Sequence, residues 1–191
     1  GISDADTIVA YDDAGGMFAA RLWWLLRWFG HHRVAVLDGG LQAWLAAGQA
    51  IDEPLPEARS ATYTLALRAD RVDAQHVRQH LGQPDMVLLD ARSPDRFRGE
   101  NERLDPVGGH IPGAINRFFR DNLDAHGCFK QASVLREEFG ALLGAHSPRQ
   151  VVHQCGSGVT ACVNALAMEA AGLSGSRLYA GSWSEWCADP A

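Results

Sequence analysis

The stretch QVVHQCGSGVTACVNALAMEAAGLSGSRLYAG, residues 150–181, decides the fold. An apolar run, QVVHQ, leads into a short loop with two glycines, then a helical pattern from about Val159 to Ala171, then a second apolar run, SRLYAG. A strand, a helix and another strand in this order predict two parallel strands joined by a covering helix. Cys155 stands at the head of the loop, where the first strand ends.

The same alternation runs along the rest of the chain. Because the apolar runs contain few polar residues, we expect one central parallel sheet covered by helices on both faces, an α/β fold of three layers. The other strands are predicted at TIVAYD (Thr7–Asp12), RVAVLDGG and MVLLDA, and the other helices at GGMFAARLWWLLRWFG, at LQAWLAAGQ, from about Asp73 to Leu81 and near Ser133 to Leu143.

The chain also resembles itself. The segment IVAYDDAGGMFAARLWWLLRWFGHHRVAVLDGGLQAW aligns with VVHQCGSGVTACVNALAMEAAGLSGSRLYAGSWSEW, and both end in a Gly-x-x-x-x-Trp pattern. The first copy has little sequence before its strand, so we expect a truncated repeat. We predict the later half of an inactive repeat at 1–51, a linker at 52–68 around DEPLPEARS, and a complete domain at 69–191.

Composition argues against several classes of partner. The net charge is −6 and no basic run is present, which argues against nucleic acid and anionic membranes. The longest apolar stretch, LWWLLRWF, is interrupted by Arg27 and is too short to span a bilayer. The four cysteines show neither a disulfide framework nor a metal-binding spacing, so we expect a reducing, cytoplasmic location and no metal.

Cys155 is the candidate nucleophile. A loop between a strand and a helix aims its backbone N–H groups at its centre, and the helix N-terminus adds positive potential that favours a thiolate. Gly156 and Gly158 permit close approach of the backbone, while Ser157 and Thr160 offer hydroxyl donors. The alternative is a small buried apolar residue, the usual role of a free cysteine. That alternative suits Cys162, which falls inside the helical pattern.

Three separated motifs carry a family resemblance. CGSGVTA (155–161), GHIPGAIN (109–116) and YAGSWSEW (179–186) together resemble the tandem-domain sulfurtransferases of the rhodanese superfamily, in particular those that use 3-mercaptopyruvate. The resemblance implies a rhodanese-like three-layer fold and an inert first repeat, in which Asp12 stands opposite Cys155. It also implies that Cys155 takes a sulfane sulfur from the donor, holds it as a persulfide and passes it to a thiol or cyanide, without a cofactor.

The resemblance also bears on the donor. Thiosulfate enzymes of the family carry basic residues in the loop, whereas here positions 156 to 159 are neutral, as in mercaptopyruvate enzymes. The family pattern GRFRG places a carboxylate grip on Arg96, and Arg103 is the nearest counterpart of a second family arginine. The family links the loop serine, here Ser157, to a histidine and an aspartate of the first repeat that would fall before Gly1. We therefore expect an intact loop around Cys155 but an active site that is incomplete on the side of the first repeat.

Other functions stay open at this point. Thiosulfate is the alternative donor, and an impaired remnant that carries a persulfide or binds a partner is the alternative to an enzyme. A rhodanese-like phosphatase or arsenate reductase would need a longer loop than Cys155–Thr160. The active-site loop is predicted to comprise Gly156, Gly158, Val159 and Thr160 around the catalytic residues Cys155 and Ser157. The expected acceptors are a thiol such as thioredoxin or glutathione, or cyanide.

Overall fold

The computed structural model describes residues 1–52, 57 and 60–189. Of the predicted linker, residues 53–56, 58 and 59 lie outside this part. The helices and strands are, in chain order, β1 (Ile8–Ala10), α1 (Met17–Trp28), β2 (Val34–Val36), α2 (Gly40–Ala46), β3 (Arg71–Val72), α3 (Ala74–His80), β4 (Val87–Asp90), α4 (Pro94–Phe97), β5 (Ile115–Asn116), α5 (Ala132–Leu143), β6 (Val151–Gln154), α6 (Ala161–Ala170), β7 (Arg177–Tyr179) and α7 (Ser182–Ala188).

The larger sheet has five parallel strands in the order β3-β7-β6-β4-β5. Its centre is the pair β4 and β6, aligned from Val87 opposite Val151 to Asp90 opposite Gln154. All eight residues of these two strands are buried, as expected when helices cover both faces of a sheet. The predicted central parallel sheet is therefore confirmed. The short strands β3 and β5 were not predicted, because two residues leave no periodic signal.

Helices cover both faces of this sheet. On one face, Phe139 of α5 and Met168 of α6 pack with Leu89 and Val151. On the other face, Val77 of α3 packs with Val152 and with side chains of β7 and α7. The three layers of the predicted fold are thus present.

The first part of the chain forms a second, smaller sheet. Its strands β1 and β2 pair in parallel, and α1 connects them. Trp23 and Trp24 of α1 are buried in one cluster with Ala161 and Ala165 of α6. Helix α6 is therefore enclosed between the large sheet and α1, which explains why seven of its ten residues are buried and why its sequence is apolar on nearly every side.

The helices also bear on membrane insertion. Among the described residues, every helix is too short or too polar to cross a bilayer.

His153 gives the fold a pH dependence. Its side chain is fully buried within β6, and neither ring nitrogen has a hydrogen-bond partner among the described residues. Burial lowers the pKa of His153 from 6.5 to about 3. Between these values the unfolded chain binds a proton that the folded chain does not, so stability is fully present above pH 6.5 and is lost as the pH falls.

We expect this loss to disappear in His153→Leu. From pH 6.5 to pH 5 the native protein should lose about 2 kcal/mol through this residue, at ~1.4 kcal/mol per pH unit. Urea unfolding at pH 7.5 and pH 5 should therefore show a smaller stability difference in the variant. The exposed turn residue His126, replaced by leucine, is the control. Parallel pH dependence in the native protein and His153→Leu would contradict the prediction.

Candidate active site

Cys155 lies directly after the carboxyl end of β6, and the loop of residues 156–160 leads from it into α6. Helix α7 holds this loop by its backbone. The Cys155 N–H donates to Ser182 Oγ (3.1 Å), the Trp183 N–H donates to the Cys155 carbonyl (3.0 Å), and the Ser184 N–H donates to the Gly156 carbonyl (2.9 Å). The start of the loop is therefore hydrogen-bonded to the first turn of α7, which follows the neighbouring strand β7.

Ser182 is the centre of this fastening. Its hydroxyl accepts from Cys155 and donates to the Tyr179 carbonyl (2.9 Å), so one side chain joins the ends of β6 and β7. Its backbone has a φ of 57°, a strained value for a residue that is not glycine. Sequence reasoning did not single out Ser182. The available signal was its place in YAGSWSEW, directly after Gly181.

The loop leaves a row of N–H donors unused. The backbone N–H groups of residues 156–160 donate to no other described residue. Gly158 has a φ of +75°, and a Cβ there would lie 2.5 Å from the Ala180 carbonyl oxygen, so only glycine fits. Cys155 is 2% exposed beside these donors. The arrangement can hold a negatively charged sulfur atom.

The carboxylate of Asp12 is surrounded by backbone N–H groups of a similar loop. Asp12 follows β1 and precedes α1, as Cys155 follows β6 and precedes α6. Its Oδ1 accepts from the N–H groups of Ala14 and Gly16, and its Oδ2 from those of Phe18 and Ala19, each at 2.8 Å. Burial favours a higher pKa for Asp12, but these hydrogen bonds outweigh it and lower the pKa. The strand–loop–helix unit is thus shaped to collect N–H groups around a negative charge.

A pocket of about 430 Å³ opens in front of Cys155. Its wall includes three of the four predicted loop residues, the predicted catalytic residues Cys155 and Ser157, and the predicted cation Arg96, and α1 also contributes. The lining residues are Met17, Phe18, Arg96, Leu104, Asp105, Cys155, Gly156, Ser157, Val159, Thr160 and Ser184.

Arg96 lies beside the loop but already has acidic partners. A Cβ at Gly156 would be 3.5 Å from its Nη2 atom. This Nη2 donates to both carboxylate oxygens of Glu102 (2.8 and 2.9 Å), and its Nε donates to Glu102 Oε2 (3.1 Å). Asp105 Oδ2 lies 3.4 Å from the same Nη2. The cation at the pocket is therefore neutralised within the protein.

Glu102 joins two arginines. Its carboxylate is 3.5 Å from Nη1 of the buried Arg92 and also accepts N–H groups of the turn that follows it, at Leu104 (2.9 Å) and Asp105 (3.2 Å). Burial would raise the pKa of Glu102, but the hydrogen bonds from Arg96 and from the two backbone groups lower it to about 2. Glu102 is therefore an anion at every physiological pH.

Comparison with known proteins identifies the family. The sequence model of the Rhodanese-like domain matches residues 2–47 and 73–189. The chain belongs to the rhodanese-like family. A Pseudomonas aeruginosa protein named "Probable 3-mercaptopyruvate sulfurtransferase" is 48% identical over 192 residues, which cover 100% of this chain and 68% of that protein.

Relatives of both donor types occur in this family. The thiosulfate sulfurtransferase of Mus musculus is 36% identical over 196 residues, which cover 97% of this chain and 64% of that protein. The solved structure of 3-mercaptopyruvate sulfurtransferase from Leishmania major superposes with a TM-score of 0.82 at 32% identity, covering 96% of this chain and 52% of that one. The chain thus spans about half to two thirds of the length of these relatives.

Helix α1 of this rhodanese-like chain also contacts the loop. Arg21 of α1 donates through Nη1 to the Gly158 carbonyl (3.2 Å), which also accepts from the Cys162 thiol (3.3 Å). Burial raises the pKa of Cys162 to about 12, which suits a packed thiol. Sequence reasoning missed Arg21, because a single arginine in an apolar helical pattern does not indicate which loop it reaches.

Two predicted residues make fewer contacts than the rest. Among the described residues, none hydrogen-bonds the exposed hydroxyl of Ser157. Arg103 is exposed, donates to Asn101 Oδ1 (3.0 Å) and does not line the pocket. The structure thus brings together Cys155, its loop and Arg96, and leaves Arg103 outside.

Within the described part, no group of three or more His, Cys, Asp or Glu side chains is arranged to hold a metal ion.

Proposed function

We propose that the chain moves a sulfane sulfur from 3-mercaptopyruvate, through a persulfide on Cys155, to a thiol or to cyanide. The observation that carries the proposal is the buried Cys155 at the head of a loop whose five following N–H groups are unused. Asp12 in the equivalent loop supports it, since there the same kind of cradle holds a full negative charge.

The first half-reaction forms the persulfide. The Cys155 thiolate attacks the sulfur of the donor, the donor carbon–sulfur bond breaks, and its electron pair leaves on the carbon as the enolate of pyruvate. The enolate takes up the proton of the transferred sulfur, so that pyruvate and an anionic persulfide result. The N–H groups of residues 156–160 stabilise this anion, and each well-placed donor in comparable oxyanion sites contributes about 3 kcal/mol.

The second half-reaction restores the thiolate. An acceptor thiolate, such as that of glutathione or thioredoxin, attacks the outer sulfur of the persulfide and leaves with it as a new persulfide. Cyanide attacks the same atom and leaves as thiocyanate. In both cases the electron pair of the sulfur–sulfur bond returns to Cys155, and no cofactor takes part.

The pocket favours a monoanionic donor. The loop itself carries no cation, and Arg96 has two acidic partners, Glu102 and Asp105, whose charge exceeds its own. We propose that Arg96 binds the carboxylate of 3-mercaptopyruvate; Arg103 stays a prediction for a second contact. Thiosulfate remains the second candidate donor because the mouse thiosulfate sulfurtransferase is 36% identical to this chain.

The arrangement into repeats belongs to the proposal. We take residues 1–51 as the later half of an inactive repeat, 52–68 as a linker and 69–191 as the catalytic domain. The separate sheet of β1 and β2, and the family match over 2–47 and 73–189, support these limits. All four cysteines are free, which supports a reducing compartment such as the cytoplasm.

Mass spectrometry of the intact protein and of its Cys155 peptide tests the proposal. Incubation with 3-mercaptopyruvate should add the mass of one sulfur atom to Cys155, and a thiol should remove it again. Thiosulfate is given in parallel to establish the preferred donor. Absence of the adduct with both donors, while circular dichroism shows an intact fold, would reject the proposal in favour of a remnant that binds but does not transfer. A stable adduct that no thiol removes would favour a persulfide carrier.

A further inference from the structure

The charged side chains around Arg96, the residue proposed to bind the donor carboxylate, carry a net negative charge. Arg96 belongs to a connected group that also contains Asp90, Arg92, Glu102 and Asp105. This group has three carboxylates and two guanidinium groups, so it carries one net negative charge. An incoming anion therefore meets a cation whose charge is already more than matched.

The two acidic partners of Arg96 are held very differently. Glu102 binds Arg96 through both of its oxygens, is close to Arg92, and accepts backbone N–H groups of its own turn. Asp105 has a single contact with Arg96, at 3.4 Å, and no other cation lies within 4 Å of its carboxylate among the described residues. A charged hydrogen bond of this length is weak.

Asp105 also occupies the place from which a donor would reach Arg96. It lines the pocket together with Cys155 and Gly156, whereas Glu102 does not. Its side chain is 7% exposed, so its charge is only partly screened by water. A donor carboxylate that approaches Arg96 from the pocket can displace Asp105 and leave the contacts of Glu102 intact.

We propose that Asp105 selects the sulfur donor by charge, as an exchangeable ligand of Arg96 that a monoanionic 2-oxo acid displaces and that repels a dianion. The inference rests on the proposed function and names the residue that gives it specificity. A dianion interacts with the Asp105 charge twice as strongly as a monoanion in the same position. Removing this charge should therefore strengthen anion binding by a factor that, for a dianion, is about the square of the factor for a monoanion.

The effect of the Asp105 charge can be measured by anion binding, which does not require sulfur transfer. Sulfate and pyruvate, which leave the cysteine unmodified, are used as probes, and each is titrated for its protection of Cys155 against iodoacetamide at pH 7.5. The alkylated Cys155 peptide is quantified by mass spectrometry in the native protein, Asp105→Asn and Asp85→Asn. Asp85 is the matched control, since it lies exposed before β4, at the opposite edge of the sheet from Cys155.

Asp105→Asn should strengthen protection by pyruvate about threefold and by sulfate about tenfold, while Asp85→Asn changes neither. The ratio of kcat/KM for thiosulfate to that for 3-mercaptopyruvate should rise about threefold in the same variant. Equal shifts for both probes, or no shift, would overturn the selection by charge. Absence of a persulfide on Cys155 in the native protein would instead reject the proposed function, and the protection ratio would still decide the role of Asp105.

Discussion

Cys155→Ser is expected to lower sulfur transfer from 3-mercaptopyruvate by at least about 10⁴-fold. The hydroxyl that replaces the thiol is a far weaker nucleophile at neutral pH, and it forms no persulfide. The backbone of the loop should stay in place, because its fastening to Ser182, Trp183 and Ser184 uses only main-chain groups of residues 155 and 156. The measurement is pyruvate release under saturating donor, together with the mass of the protein after incubation.

Cys128→Ser is the matched control, since Cys128 is a free, partly buried thiol that does not line the pocket. It should keep the transfer rate within about twofold, because substitutions away from such sites are usually nearly neutral. If the Cys155→Ser protein still formed a persulfide at another residue, or if both variants lost activity equally, Cys155 would not be the sulfur carrier.

Arg96→Met is expected to lower kcat/KM for 3-mercaptopyruvate about 100-fold, mainly through a higher KM. The variant removes the cation proposed to bind the donor carboxylate, and it leaves the buried Glu102 with Arg92 as its remaining arginine partner. Because this loss can also affect folding, the unfolding free energy is measured alongside the kinetics. Arg96→Lys keeps the charge but not the two-pronged geometry, so it should recover only part of the KM.

Arg98→Met provides the comparison for Arg96. Arg98 stands two residues further along the chain and pairs with the exposed Glu100, and it does not line the pocket. Its removal should leave KM unchanged. If Arg96→Met raised KM no more than Arg98→Met does, the donor carboxylate would have to bind elsewhere.

The alternation of apolar runs and helical patterns was enough to predict the strands β4, β6 and β7 and the helices α3, α5 and α6, but not the helix α7. Long elements with many buried positions, such as β4, β6 and α6, leave a clear periodic signal. The four-residue helix α4 and the strands β3 and β5 do not, because their formation depends on neighbours distant in sequence. Similarly, Arg96 was identified as a cation near the site, but its two acidic partners were not.

The sequence by itself determined the position of Cys155 at the end of a buried strand and the need for glycine in the following loop. These are local features, set by the order of residue types within about ten positions. The tertiary structure alone decided that Ser182 hydrogen-bonds the start of the loop, that Arg21 reaches the loop from α1, and that Glu102 and Asp105 both contact Arg96. The physical reason is that hydrogen bonds and charge pairs act over a few ångströms, and packing brings these groups that close only when distant segments meet.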